Sequence, residues 1–508
     1  MDHPFGDYLE RLGSGPKAAP SENGPYDDYL KNIPDKPVAA AEKKQENTAV
    51  CRDATPAQEP FDLAITGGQL VMPECGVMRG ELYVKDGKIA IVAADGAGLP
   101  AKRTVCAEGR YVMPGIIDPH VHLGIMTPMR DELNTETAAA LIGGITTIGM
   151  FVSSPDARLG AFEKLADDIH SISHINIRPH FVIADEEQIS QLPQIIEHYG
   201  VRSFKCYLHG VPGIIESKAD AFIVRVMKIL KESGKDCVLC IHSENHSLVN
   251  QATEDLMNAT GSDATLYDWE QSHPELAEEE AVHRIAFFAK KFQQKVYVVH
   301  ASSQCAAEML REVKKHNPYI IGETTSPYLA LSLDDGLDFR AKMEPPIRGR
   351  RHQNALWQAL TDDVIDTIGT DNVMVPAEVK KKNRSDLWKV PSGYAVLETH
   401  LPSVLTEGVL RRGVPIHQIV TKMTMNPAKA FGLYPRKGSL RPGSDADIAI
   451  VDLGSFMEIQ GENLNSASGI SIFEGRQMAG WPCMTILGGK IVAENRKIVD
   501  KAMGRLVL

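Results

Sequence analysis

The sequence predicts an α/β chain: a (β/α)8 barrel carrying a β-sandwich assembled from both ends of the chain. Three observations lead there. Short apolar runs alternate with amphipathic helical stretches eight times across about 320 residues, the repeat of a (β/α)8 barrel. Strand-rich segments broken by Gly-Gly and Asp-Gly, the hairpin dipeptides, stand on both sides of that repeat. The chain of 508 residues, 43% apolar and 24% charged, is long enough for a large core and ordinary for a soluble globular protein.

Residues 1–60 come first and differ from the rest. Rich in Ala, Pro, Glu, Lys and Asp, as in AAAEKKQENTAV, they lack the apolar content to offset ordering entropy, and a disordered arm is expected. The arm holds a repeat, PFGDYLERL (4–12) and PYDDYLKNI (25–33), of pattern P-[FY]-x-D-Y-L. Each copy is long enough to form about two helical turns with an apolar side. Two linked weak motifs raise avidity, so residues 4–33 are candidates for docking a protein partner, such as the shell of a bacterial compartment. An accidental repeat in a disordered tail is the competing reading.

Residues 61–113 turn to strand signals, FDLAITGGQLV and GELYVKDGKIAIVA, and residues 434–508 repeat that style in DADIAIVDL and MTILGGKIVAE. Between them, residues 114–433 carry the barrel. Its strands are expected at GIIDPHVH, ITTIGMFV, IRPHFVIA, RSFKCYL, DCVLCIHSE, KVYVVHASS, YIIGETTS and VIDTIGTDN. Helices such as KADAFIVRVMKILKESG and EEEAVHRIAFFAKKF separate them.

Several function classes recede. A net charge of −12 disfavours nucleic-acid binding. No apolar run reaches the roughly 18 residues of a membrane span, and the opening MDHPFGDYLE has no secretory pattern. The eight cysteines are scattered, which suits reduced thiols and a cytoplasmic setting. No G-x-S-x-G elbow, P-loop or dinucleotide fingerprint supports a rival chemistry.

Active-site residues of such a barrel stand at the C-terminal ends of its strands. His120 and His122 close strand one, Lys205 lies on strand four, His242 closes strand five, His300 strand six and Asp371 strand eight. With 17 histidines in the chain, one His-x-His pair is unremarkable alone, and a lone strand-end histidine is more often a hydrogen-bonded residue than a ligand. Their coincidence at one mouth is what carries weight. His-x-His on a strand puts both imidazoles on one face, because the side-chain period is two. Four imidazoles and a carboxylate suit zinc or a similar divalent ion, and they exceed one tetrahedral shell with an open position. Two ions are implied, and two cations need an anionic bridge. An ammonium cannot supply it; a carbamate made from CO2 and the neutral amine of Lys205 can, if burial depresses the lysine pKa.

The segments MPGIIDPHVHLG, GGITTIGMF, SFKCYL, IHSEN, VVHASS, GETTSPYLAL, EPPIR, IGTDN, KVPSGYAVLE and MNPAKAFGLYPRKGSLRPGSDADIAIVDL resemble those of the cyclic amidohydrolases: hydantoinases, dihydropyrimidinases and allantoinases. The resemblance spans roughly residues 61–495. It implies hydrolysis of a small cyclic amide, ureide or imide, and a homotetramer. It also implies that His120, His122 and Asp371 hold one metal, that His242 and His300 hold the other, and that N6-carboxylysine at Lys205 bridges them. The expected mechanism is attack on a ring carbonyl by metal-activated hydroxide, with Asp371 as general base and then acid. A non-catalytic scaffold related to dihydropyrimidinases is the alternative, although such proteins lose ligands that this chain keeps.

Departures from the family pattern concern the substrate. Dihydroorotases follow His-x-His with Leu-Arg, where this chain has Gly124. Hydantoinases carry an oxyanion-binding tyrosine five residues after the lysine, where this chain has Gly210; Tyr207 is close by and His209 is a candidate replacement. Ser392 stands in VPSG where hydantoinases have a substrate-binding asparagine. Thr325 and Ser326 are expected to line the ring site, largely through backbone groups. Asn372 replaces the usual histidine after the metal aspartate. Met126 and Met129 are candidates for an adaptable apolar wall, and Arg130 for an anionic substituent.

Overall fold

The computed structural model describes residues 59–501 and 504–508. The segments at 4–12 and 25–33 lie outside the described residues.

Alternating apolar residues and tight turns build the first sheet. Strand β1 (Leu63–Met72) pairs antiparallel with β2 (Gly76–Lys85), and β2 with β3 (Lys88–Ala94). The β2–β3 turn uses Asp86 and Gly87, both at positive φ, the conformation that favours the Asp-Gly dipeptide. Strands β4 (Thr104–Cys106) and β5 (Tyr111–Pro114) run parallel to β1.

The barrel follows. Its strands are β6 (Ile116–His122), β7 (Ile145–Val152), β8 (Asn176–Val182), β9 (Ser203–Tyr207), β10 (Val238–His242), β11 (Lys295–Val298), β12 (Ile320–Thr325), β13 (Thr367–Gly369) and β14 (Asn372–Val373). Every neighbouring pair is parallel, in the order β13-β12-β11-β10-β9-β8-β7-β6-β14. β13 and β14 are two halves of the eighth strand, parted by Thr370 and Asp371. One half bonds to β12 and the other to β6, which closes the ring. Phe151, Tyr297, Cys240 and Phe431 fill the interior. Helices seal the outside: Asp220–Glu232 buries Phe222, Ile223, Val226, Met227 and Leu230, a stripe at helical spacing.

The chain then returns to the first sheet. β15 (Ile448–Asp452) pairs antiparallel with β5, while β16 (Met457–Glu458) and β17 (Gln477–Met478) form a small ribbon. β18 (Trp481–Leu487), β19 (Lys490–Glu494) and β20 (Lys497–Ile498) complete nine strands, ordered β20-β19-β18-β15-β5-β1-β2-β3 with β4 against β1. Leu82, Val84 and Ile89 share one apolar core with Ile448, Met484, Ile486 and Ile491. The sheet folds over this core far enough that an added Cβ on Gly87, in the β2–β3 turn, would lie 2.9 Å from the carbonyl oxygen of Gly488, in the β18–β19 turn. No described helix is long and apolar enough to cross a membrane.

Candidate metal centre

The C-terminal ends of the barrel strands gather the expected side chains around one cavity. His122, Lys205, His242, His300 and Asp371 all line it. His120 lies behind them, fully buried. Donor atoms of His120, His122 and Asp371 fall within 4.8 Å of one another. Asp371 Oδ1 is 3.0 Å from His120 Nε2 and 3.3 Å from His122 Nε2. The His242 and His300 rings are 4.5 Å apart, and His300 stacks on His120 at 5.4 Å. His300 and Asp371 hold φ of +41° and +55°, left-handed backbone that few non-glycine residues adopt and that recurs at functional sites as well as in turns.

Burial acts first on each of these groups. It pushes His122 down to about 4 and His300 well below the usual imidazole range, leaving the neutral form that coordinates metals. At His120 burial also pushes down, but Glu323 and Asp371 outweigh it and lift the group to about 9. Burial opposes ionisation of Asp371, yet His120 and His122 hold it well below the usual carboxylate range. The cluster therefore attracts positive charge. Burial pulls Lys205 down to about 8. Its Nζ has no hydrogen-bond partner among the described residues and rests 4.6 Å from the Phe151 ring and 4.9 Å from the Tyr207 ring. Three close imidazole and carboxylate donors, a pair of further imidazoles and an unpartnered buried amine fit a two-ion site bridged by a modified lysine.

Carboxylates behind the donors set their orientation. Glu323 Oε1 lies 2.7 Å from His120 Nδ1 and accepts the His300 N–H at 3.1 Å. Glu244 spans His242 Nε2 at 2.7 Å and His273 Nδ1 at 2.9 Å. Asp118 accepts the N–H groups of His120 and Thr370 at 3.1 and 3.0 Å and the Thr370 hydroxyl at 2.6 Å, which ties the end of β6 to the break before Asp371. Carboxylate–histidine pairs of this kind select the tautomer and aim of a ligating ring. The first two stand inside GETTSPY and IHSEN, and the third two residues before His120. For Glu244 and Asp118 a carboxylate two residues from a candidate histidine was the available signal; Glu323 has no histidine beside it in sequence.

The structure separates the other expected site residues. Ser392 lines the cavity. Thr325 and Ser326 are fully buried and do not line it; Ser326 Oγ pairs with His400 Nδ1 at 2.8 Å. His209 is not on the cavity surface either: its Nε2 meets Glu344 Oε1 at 3.0 Å and its Nδ1 meets His246 Nδ1 at 3.1 Å. Tyr207 is the side chain that reaches the cavity from this segment, two residues beyond Lys205 and therefore on the same face of β9. Its ring stacks on His242. Gly210 leaves no room for a tyrosine, because an added Cβ would sit 2.4 Å from the Ile215 carbonyl oxygen and 2.5 Å from the Ser217 nitrogen. Asn372 turns away to accept the Val396 N–H at 2.9 Å. Arg130 is paired with Asp168. Neither Met126 nor Met129 lines the cavity; its apolar wall is Ile125, Val211, Ile214, Ile215, Met343 and Val373.

Comparison with known proteins gives a consistent picture. The Amidohydrolase family matches residues 111–492. L-hydantoinase of Paenarthrobacter aurescens is 31% identical over 459 residues, covering 88% of this chain and 98% of its own. D-hydantoinase of Geobacillus stearothermophilus is 29% identical, covering 84% and 92%, and a dihydroorotase of Bacillus cereus is 29% identical, covering 84% and 96%. Among solved structures, L-hydantoinase (dihydropyrimidinase) from Arthrobacter aurescens superimposes with a TM-score of 0.82 at 28% identity, over 88% of this chain and 99% of that one. Dihydropyrimidinase from Brevibacillus agri superimposes with a TM-score of 0.80 at 25% identity, over 87% and 98%.

Proposed function

The chain belongs to the amidohydrolase family, and from that premise we propose that it is a metal-dependent hydrolase that opens a cyclic amide, ureide or imide ring. One observation carries the reading: Lys205, buried and without a hydrogen-bond partner among the described residues, stands among His122, His242, His300 and Asp371. Nothing among the described residues hydrogen-bonds an ammonium there, burial brings the neutral amine within reach near pH 8, and a carbamate would use the place. His120, His122 and Asp371 would hold one divalent ion, His242 and His300 a second, and carboxylated Lys205 would bridge them. Zinc suits this mix of imidazole and carboxylate donors. When bound, the ions supply Lewis acidity and a water acidified toward neutral pH.

The residues of the chain do the rest. Asp371, a carboxylate facing the cavity, takes the proton from the attacking water and returns it to the leaving ring nitrogen. Tyr207, and not His209, faces the cavity as the candidate oxyanion donor. Burial raises its hydroxyl pKa, so the phenol keeps its proton and donates to the developing oxyanion. Ser392 and Ser153 hold the ring by its amide edge. The apolar wall excludes water and packs a ring substituent.

Dihydroorotate fits poorly despite the dihydroorotase relatives. Gly124 has φ +81°, and a Cβ there would lie 2.8 Å from Met129 Cβ, so the carboxylate-binding arginine of that group has no room. The relatives compared carry enzyme names, and the non-catalytic scaffold finds no support among them. The homotetramer belongs to the same reading and is checked by sedimentation. The deciding experiment is a hydrolysis screen of the metal-loaded protein over hydantoins, dihydropyrimidines, cyclic imides and allantoin, with bound metal quantified. Ring opening with two ions per chain is expected; full metal loading with no ring opened refutes the proposal.

A further inference from the structure

Apart from the five candidate donors on its wall, only two ionisable side chains line the cavity among the described residues: Tyr207 and Glu344. Glu344 stands beside Met343 on the otherwise apolar wall, where a carboxylate is costly unless something meets it. His209 meets one of its oxygens, with both side chains no more than 5% exposed. Burial works against a charge on His209, but the bond to Glu344 prevails and raises its pKa. His246 backs His209 in turn. Glu344 is thus held in place from behind.

The loop that bears Glu344 is also fixed. Lys342 Nζ donates to the carbonyls of Leu387 and Trp388 at 2.8 and 3.1 Å, and the Gly393 N–H donates to the Lys342 carbonyl at 3.1 Å. Glu344 and Ser392 therefore sit on two segments bonded side by side. No arginine, and no lysine other than Lys205, lines the cavity among the described residues.

We infer that Glu344 sets the substrate class: the ring carries a nitrogen donor on its substituent, such as an amino, guanidino or ureido group, that bonds the Glu344 carboxylate. This rests on the hydrolase reading above and deepens it. A bond from such a donor to a carboxylate is charge-assisted and roughly twice as strong as a neutral one. An alkyl substituent leaves the carboxylate facing apolar surface, and an anionic substituent meets like charge, so both are selected against.

The test uses the metal-loaded full-length protein and three hydantoins whose matched 5-substituents end in ammonium, methyl or carboxylate. kcat/KM is measured where turnover occurs, and Kd by calorimetry where it does not. The order ammonium, methyl, carboxylate is expected, with about 100-fold between the extremes. Glu344→Gln should shrink that span to about 10-fold or less, and Glu344→Asp, which keeps the charge, should keep the order. A wild-type preference for the carboxylate, or a span unchanged in Glu344→Gln, overturns the inference. Binding in the expected order without turnover supports it while refuting the hydrolase reading; turnover in an order indifferent to Glu344 does the reverse.

Discussion

Replacing Glu323 by glutamine keeps the side-chain shape and removes one buried charge. Glu323 is wholly buried, and one of its oxygens serves both His120 Nδ1, at 2.7 Å, and the His300 N–H, at 3.1 Å. It therefore orients candidate donors to both ions. A hydrogen bond to a charged group contributes about 1.5–3 kcal/mol and a neutral one about 0.5–1.5 kcal/mol. Each of the two bonds should weaken by about 1 kcal/mol, about 2 kcal/mol together. At about 1.4 kcal/mol per decade that is roughly a 30-fold loss of metal affinity, inside the roughly 10–100-fold range for outer-shell partners. The assay is competition with a chromophoric chelator, which reads the free-metal concentration at half occupancy. The melting temperature of the stripped protein is the control, since the fold should tolerate an uncharged isostere. Superimposable occupancy curves for the two proteins would show that Glu323 braces the barrel and has no part in holding metal.

Three further outcomes follow from the same geometry. In stripped protein, Lys205 at about 8 is about half neutral at pH 8 and roughly 1% neutral at pH 6; recovery of activity with metal at fixed dissolved CO2 should be about 50-fold slower at pH 6, and equal rates would refute the carbamate. Tyr207→Phe removes the proposed oxyanion donor and should lower kcat by about 10²–10³ with little change in metal content; an unchanged kcat leaves Tyr207 as cavity wall only. Lys380→Met strands the carbonyls of Arg340 and Gly393, at about 1–3 kcal/mol each, while the Lys342 carbonyl keeps the Gly393 N–H, so chemical denaturation should show a loss of at least about 2 kcal/mol. Because Gly393 follows Ser392, KM should also rise more than kcat falls, and a variant with wild-type KM would separate Lys380 from the site.

The barrel and the gathering of the candidate donors at its mouth were legible because both follow from the chain's local order. A strand of period two fixes which side chains share a face, and a (β/α)8 repeat fixes which strand ends share a mouth. His120, His122, Lys205, His242, His300 and Asp371 needed nothing more. The residues that escaped depend on partners distant in sequence. Glu323 reaches His120 across 203 residues, and Thr370 reaches Asp118 across 252. His209 was a fair candidate by spacing, yet Glu344, 135 residues away, turns it from the cavity. Arg130 is drawn to Asp168 and Ser326 to His400 for the same reason. Loops over a barrel mouth answer to one another, and a pattern read along one strand does not record that.

Gly210 joins the two parts of the substrate question. Read alone, it is a missing tyrosine. In the fold it is the floor of a turn: Val211 bridges Ile215, and the carbonyl of Ile215 and the nitrogen of Ser217 close over the place where a Cβ would be. That turn delivers Val211, Ile214 and Ile215 to the cavity. The glycine at 210 and the apolar wall thus belong to one feature of the chain. A larger residue at 210 would push the turn outward and open the wall, while the glycine keeps it closed. With the turn closed, the polar groups left to the proposed recognition are Tyr207 from β9, Ser153, Ser392 from its loop and Glu344 from the neighbouring segment. A ring that fits has an amide edge for Ser392, an apolar stem for the turn and a nitrogen donor for Glu344. A simple aliphatic hydantoin satisfies the first two and leaves the third unmet, which is why the charge of the substituent, more than its size, should separate good substrates from poor ones.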